Sequence, residues 1–303
     1  MNKFILSFIF QIMFTPLIAQ IDLQGHRGAR GLAPENTIPA FLIALDFGVT
    51  TVELDVVITK DKKVLVSHDH YFSSVFCLDS DGNDFKKADE EKYNIYQMNY
   101  NAIKDFDCGS KLHKDYPEQN NERLVKPLLS DVIKAIENHV KGQTKYLVKY
   151  NVEIKSSESG DNINHPEIPE FSKLVYDVLN TYLDMNRVNI QSFDFRVLQY
   201  WHENYPAMRL AMLIGNNKGI DSNLELLGFT PEIYSSYFQS INESKVTRLH
   251  DMGMQVIPWT VNKKGDMQKL VSMNVDGIIT DYPNRARELG YTVEIPYGRE
   301  DDK

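Results

Sequence analysis

Two kinds of hydrophobic run alternate along most of the chain. Short β-rich stretches occur at 21–25, 51–58, 146–154, 188–191, 209–214, 232–235, 255–259 and 277–280. Between most of them apolar residues recur every three or four positions, which predicts helices over 37–47, 129–140, 168–183, 195–203, 243–252, 264–273 and 283–289. Strands that alternate with helices in this way predict a parallel α/β sheet. The first strand runs into His26-Arg27-Gly28 rather than a glycine-rich dinucleotide turn, so a closed TIM-type (β/α)8 barrel fits better than an open doubly wound sheet. One interval breaks the rhythm. Residues 71–126 are rich in Asp, Asn, Lys and Tyr, and because an unstructured loop of that length is uncommon in a compact domain, a small insertion after the second strand is expected. Within it, DSDGND at 79–84 resembles part of a calcium loop but lacks the terminal Glu, and reads as a solvated turn.

The first 19 residues have their own pattern: Lys3, an apolar run broken only by Ser7, Gln11 and Thr15, and small Ala19 before Gln20. This predicts a secretory signal peptide, short for a spanning helix, and an exported chain beginning near Gln20 that is periplasmic or secreted, with an uncleaved anchor or a buried strand as the alternative. No Cys follows the run to carry a lipid, so no stable membrane anchor is expected after removal. Export changes the reading of Cys77 and Cys108, the only two cysteines. In an oxidising compartment they invite a disulfide, and their separation of 31 positions would give about 3.5 kcal/mol in the chain-entropy model. Two unpaired thiols are the alternative, because spacing says nothing of geometry. The 42% hydrophobic content excludes a disordered chain, and a formal charge of −9 argues against nucleic acid as a partner through long-range repulsion.

Residues able to do chemistry collect at the predicted strand ends. His26 and Arg27 follow the first strand; an imidazole supplies acid or base near neutral pH, and a guanidinium offers a planar fork to phosphate or carboxylate. In the second strand Glu53 and Asp55, two apart, share one face while Leu54 and Val56 take the other. The third repeats the device with Glu153 and Lys155. Carboxylates side by side inside a barrel need a cation, and a hard divalent metal fits; ordinary ion pairs with Arg27 and Lys155 are the alternative from these residues alone. A short apolar run at 64–67 ends in His68-Asp69-His70, which would carry His68 over the barrel mouth. Gln191, Trp259 and Asp281 lie at the ends of later strands, at the face where such barrels place their sites.

The strings HRGARGLAPENT, VELDVVITKDKKVLVSHD, VEIK, QSFD, PWTVN and GIITDYP, in this order over nearly the whole mature chain, resemble the glycerophosphodiester phosphodiesterases. The resemblance implies a TIM barrel with an insertion and hydrolysis of deacylated phospholipid head-group diesters to glycerol 3-phosphate and an alcohol. It maps a catalytic pair onto His26 and His68, metal carboxylates onto Glu53, Asp55 and Glu153, phosphate contacts onto Arg27 and Lys155, and the apolar wall of a glycerol pocket onto Trp259. One divalent ion is implied, calcium in exported relatives and magnesium in others. Two other readings stay open. A barrel phospholipase of the C or D type acting on intact lipids or lysolipids would want an apolar or basic rim, whereas the insertion is acidic and amide-rich. A secreted phosphodiester-binding protein would need cations but no acid/base pair.

Overall fold

The computed structural model describes residues 21–141 and 147–293, so the expected leader at 1–19 and the expected strand start at Tyr146 lie outside the described residues. Eight parallel strands form the barrel wall: β1 (Asp22–Gly25), β2 (Thr51–Ile58), β4 (Lys149–Ile154), β5 (Val188–Ser192), β6 (Arg209–Ile214), β7 (Ile233–Ser236), β8 (Gln255–Val256) and β9 (Gly277–Thr280). The short β3 (Val64–Val66) is antiparallel to β2. Closure between β8 and β9 runs through Asp276 N–H to the Val256 carbonyl at 3.0 Å and Ile279 N–H to the Pro258 carbonyl at 3.0 Å. Regular pairing of β8 ends at Val256, earlier than the apolar run suggests, because Pro258 has no N–H to offer. The chain still follows β7, with Ile257 and Trp259 N–H groups reaching the Tyr234 and Ser236 carbonyls.

Helices α1 (Ile38–Asp46), α3 (Leu129–Val140), α4 (Ile168–Tyr182), α5 (Phe195–Asn204), α7 (Glu243–Asp251), α8 (Lys264–Ser272) and α9 (Pro283–Arg287) fall within a residue or two of the periodic segments. Thr37 caps α1, its hydroxyl accepting from Ala40 N–H. Two helices are absent from the periodicity: α2 (Tyr100–Ile103) in the insertion and α6 (Ile220–Leu227). The buried stripe of α6 is Ile220, Asn223 and Leu227. A polar residue at the middle position hides the pattern; Asn223 is buried because its amide donates to the Lys218 and Gly219 carbonyls.

Two cores result from strand parity. Val52, Leu54, Val56 and Ile58 of β2 face the helices in the main core. The insertion has its own cluster, in which Phe72, Ile95, Ile103 and Phe106 pack with Val57 and Leu65 of the β2–β3 hairpin. The expected insertion is thus a small folded unit, and DSDGND is a turn in which Asp79 Oδ1 accepts from the Asp81 and Asn83 N–H groups. Cys77 and Cys108 are joined by a disulfide inside this cluster. Replacing both by Ala is expected to lower unfolding free energy by about 2–4 kcal/mol in denaturant titration, with the insertion the first region to gain hydrogen exchange. Among the described residues no helix is long and apolar enough to cross a membrane.

Candidate active site

The barrel interior is divided. On the β6–β9 side it is apolar, with Ala211, Ile233, Ile257 and Ile279 below Trp259. On the β1–β5 side it is a buried polar ladder. Asn151 Nδ2 donates to Gln24 Oε1 at 2.7 Å and to Gln191 Oε1 at 2.9 Å, Asn189 Nδ2 donates to Asn151 Oδ1, and Gln191 Nε2 donates to Glu53 Oε1 at 2.8 Å. Gln24, Asn151 and Gln191 each spend both donor and acceptor on a neighbour, which offsets the desolvation that buried polar groups otherwise suffer. Gln191 is therefore the link between this ladder and the carboxylates above it.

Register brings those carboxylates together. Asp55 pairs with Glu153 across β2 and β4, and one ligand atom from each of Glu53, Asp55 and Glu153 lies within 4.8 Å of the others. All three are buried. Burial first, and then the charges of Asp55 and Glu153, push Glu53 well above the usual carboxylate range. Burial likewise raises Glu153, although Lys155 Nζ lies 2.6 Å from its Oε1. Burial would also raise Asp55, but the charges of Arg27, His68 and Lys155 hold it well below its ordinary value. Arg27 Nε lies 3.3 Å from Asp55 Oδ2 and Lys155 Nζ lies 3.8 Å from Asp55 Oδ1, and Asn36 Nδ2 donates to Asp55 Oδ2 at 2.8 Å. The ion pairs with Arg27 and Lys155 thus exist, yet they leave Glu53 with excess proton affinity. Three convergent carboxylates of which one lacks a counter-charge are a donor set that fits a hard divalent cation.

The loop after β1 is shaped to serve this cluster. Arg27 and Asn36 adopt left-handed backbone conformations, with φ of +50° and +56°. This turns the Arg27 N–H onto Glu53 Oε2 at 2.8 Å and its side chain onto Glu35, where Nη1 meets Oε1 at 2.8 Å. Gly28 has φ of +85°, and a Cβ there would come within 2.6 Å of the Ala40 backbone, so only glycine lets the loop close on α1.

His26 and His68 face one cavity of about 310 Å³ that Arg27, Arg30, Glu53, Glu153, Gln191, Phe193 and Trp259 also line. Each imidazole is anchored through Nδ1, His26 to Asp281 at 2.6 Å and His68 to Asp69 at 2.7 Å. A carboxylate on Nδ1 places the proton there and leaves Nε2 as the working atom. Burial lowers the His26 pKa despite Asp281. Asp281 is itself buried; burial opposes its ionisation, but His26 beside it holds the carboxyl down to about 2. Asn262 fixes it, donating from Nδ2 to Oδ2 at 2.7 Å and accepting from the Asp281 N–H. Trp259 donates from its indole N–H to the Ser235 carbonyl at 3.1 Å and meets Phe193 edge-on at 5.5 Å.

Of the site residues expected from the sequence, His26, Arg27, Glu53, His68, Glu153, Gln191 and Trp259 line this cavity, and Asp55 and Lys155 pair with lining residues, Asp55 with Arg27 and Lys155 with Glu153. The sequence assigned no role to several others. Glu35 and Asn36 read only as a helix start, Asp281 and Asn262 only as strand ends, and Lys126 carried no signal. Lys126 is buried and donates to Ser67 Oγ at 3.0 Å, and burial pulls its ammonium below the usual lysine range.

Residues 26–285 match the model of the glycerophosphoryl diester phosphodiesterase family. A glycerophosphodiester phosphodiesterase of Caldanaerobacter subterraneus is 31% identical over 258 residues, covering 85% of this chain and 93% of that protein. A structure solved for a candidate glycerophosphoryl diester phosphodiesterase of Silicibacter pomeroyi superposes with a TM-score of 0.78 at 26% identity, covering 89% of this chain and 92% of its own. An Oleispira antarctica phosphodiesterase, solved in complex with the product sn-glycerol-3-phosphate, has the same fold, with a TM-score of 0.69 at 21% identity over 88% of this chain and 95% of its own. A match to the family model along most of the barrel, together with a relative of that similarity, means that the chain belongs to the glycerophosphoryl diester phosphodiesterase family.

Proposed function

We propose that the protein hydrolyses glycerophosphodiesters, the deacylated head groups of phospholipids, to glycerol 3-phosphate and an alcohol by metal-dependent two-histidine catalysis. The observation that carries this reading is one cavity of about 310 Å³ lined by two carboxylate-anchored imidazoles, above three carboxylates that converge on one point. The volume lies at the small end of ligand sites, as a compact diester requires. Glu53, Asp55 and Glu153 would hold the ion, calcium by preference for an exported protein and magnesium otherwise. A divalent cation supplies charge neutralisation at the phosphoryl oxygens. Arg27 and Lys155 add fixed positive charge on the same side. One imidazole Nε2 removes the proton from the attacking oxygen, and the other protonates the leaving alkoxide, whose pKa otherwise forbids rapid departure. Trp259 and Phe193 offer an apolar wall to the glycerol carbons. The test is release of glycerol 3-phosphate from glycerophosphocholine, glycerophosphoglycerol and glycerophosphoinositol, with lysophospholipid in vesicles as the contrast. Release from the soluble diesters, abolished by chelator, supports the reading; binding without release, or release from the lysolipid alone, overturns it.

We also infer export. The leader pattern at 1–19 supports it, and so does the Cys77–Cys108 disulfide, a bond that persists in oxidising compartments. Protein recovered from outside the cytoplasm is expected to begin within a few residues of Gln20 on N-terminal sequencing; a start at Met1 overturns the assignment.

A further inference from the structure

The two arginines of the β1–α1 loop are employed differently. Arg27 is committed to the carboxylates, through the Glu35 hydrogen bond and the Asp55 ion pair. Arg30 lines the same cavity, and among the described residues none of its side-chain nitrogens makes a hydrogen bond. Its Nε lies 2.8 Å from Glu35 Oε2, an ion-pair distance without hydrogen-bonding alignment, and Glu35 already shares its charge with Arg27. The insertion holds Arg30 in place. Gln119 Nε2 donates to the Arg30 carbonyl at 2.6 Å, and the Tyr116 ring lies against the guanidinium with the ring centre 4.5 Å from Cζ. Behind Tyr116 stand His113 at 4.8 Å and then Phe76 at 5.6 Å, a run of rings that ends on Arg30. Tyr116 and Arg30 are thus a contact between the insertion and the barrel at the cavity, whose lining also includes the edge-on pair of Phe193 and Trp259.

We propose that Arg30, backed by Tyr116, is a head-group subsite that selects diesters whose alcohol carries a second anion, a phosphate or a carboxylate. This rests on the hydrolase reading above. A guanidinium with unused, forked N–H groups pairs bidentately with such an anion and repels an ammonium, and stacking on an aromatic face fixes its plane without consuming the fork. The glycerol end of the substrate takes the apolar wall, which leaves the alcohol for the Arg30 side.

Three diesters separate the terms: bis(glycerophospho)glycerol, whose glycerol head bears a second phosphodiester; glycerophosphoglycerol, with the same head but no second charge; and glycerophosphocholine, with a cation. In Arg30→Gln the ratio of kcat/KM for the first over the second is expected to fall about 10–100-fold, and the ratio for the third over the second to rise. Tyr116→Leu should move the first ratio in the same direction by a smaller factor. Equal loss on all three diesters would place Arg30 on the shared phosphate or in the fold and overturn the proposal, as would unchanged ratios. Should Arg30→Gln fail to fold, Arg30→Lys keeps the charge without the fork, and a drop of about 3–10-fold in the first ratio is expected, an unchanged ratio counting against. Wild-type protein that releases glycerol 3-phosphate from none of the three removes the hydrolase reading as well, a result distinct from any change in ratio.

Discussion

Alanine at His26 or at His68 is expected to lower kcat by about 10²–10⁴-fold, with KM little changed and the fold intact. The size follows from the role. Each imidazole would carry a proton in a different half of the displacement, so loss of either leaves one step uncatalysed while the charge stabilisation by the rest of the site remains. Neither ring belongs to a hydrophobic core cluster, and the side chains are 14% and 32% exposed, so truncation removes little buried apolar surface. Thermal unfolding checks the fold, and single-turnover rates on glycerophosphoglycerol check the chemistry. A near-normal rate in one variant withdraws that histidine from the reaction. Asp281→Asn makes the same point from behind: it keeps the volume but loses the anion that fixes the His26 tautomer, and a drop in kcat of about 10²-fold or more is expected. The same substitution has a signature in stability. Because the Asp281 carboxyl is held at about 2, below its unfolded value of about 3.9, the pair stabilises the protein fully above that unfolded value and ceases to do so as pH falls through about 2. The Asn variant should lack that acid-side dependence.

Removal of divalent cations is expected to lower kcat by about 10³-fold, the equivalent of several kcal/mol of lost transition-state stabilisation. Dialysis against chelator followed by titration with calcium or magnesium reads both the loss and the ion that restores it. Charge counting explains the dependence. The carboxylates that would hold the ion, Glu53, Asp55 and Glu153, face Arg27 and Lys155, so when all three are ionised the triad carries one negative charge more than those two cations balance. A monoanionic diester would be repelled by that excess; a divalent ion reverses it. Thermal stability gives a second readout. In the ion-free protein the carboxyls of Glu53 and Glu153 sit above their unfolded values, so they stabilise the fold fully below about 4.3 and lose that contribution as pH rises through their raised values. Added calcium should therefore raise Tm more at pH 7 than at pH 5. Glu53→Gln should flatten that difference and weaken ion binding. Chelation that alters neither rate nor Tm would leave only the ion pairs with Arg27 and Lys155 and dismiss the metal.

Much of this architecture is legible because the relevant physics is local. In TVELDVVI the pleat alone puts Glu53 and Asp55 on one face and Leu54 and Val56 on the other, and the structure shows that division, with the apolar set against the helices. The segment at 129–140 is a helix over those same residues because its apolar stripe is unbroken, whereas α6 escapes notice because Asn223 occupies the stripe. Glu35 and Asn36 are the instructive misses. Next to a proline and a threonine they look like the start of a helix, and Thr37 does cap it, yet both side chains turn the other way, to Arg27 and to Asp55.

By itself the chain determined most of the alternation of strands and helices, the shared face of Glu53 with Asp55 and of Glu153 with Lys155, and a set of acids, imidazoles and cations at strand ends. Which of them meet was decided by closure of the barrel and by the insertion. His26 and Asp281 are 255 positions apart and become partners only because β1 lies beside β9; Tyr116 reaches Arg30 only because a second small core folds the insertion back over the mouth. Side-chain direction along a strand follows from the pleat of its own backbone, but contact between strand ends depends on register and closure, which form only when the whole sheet does.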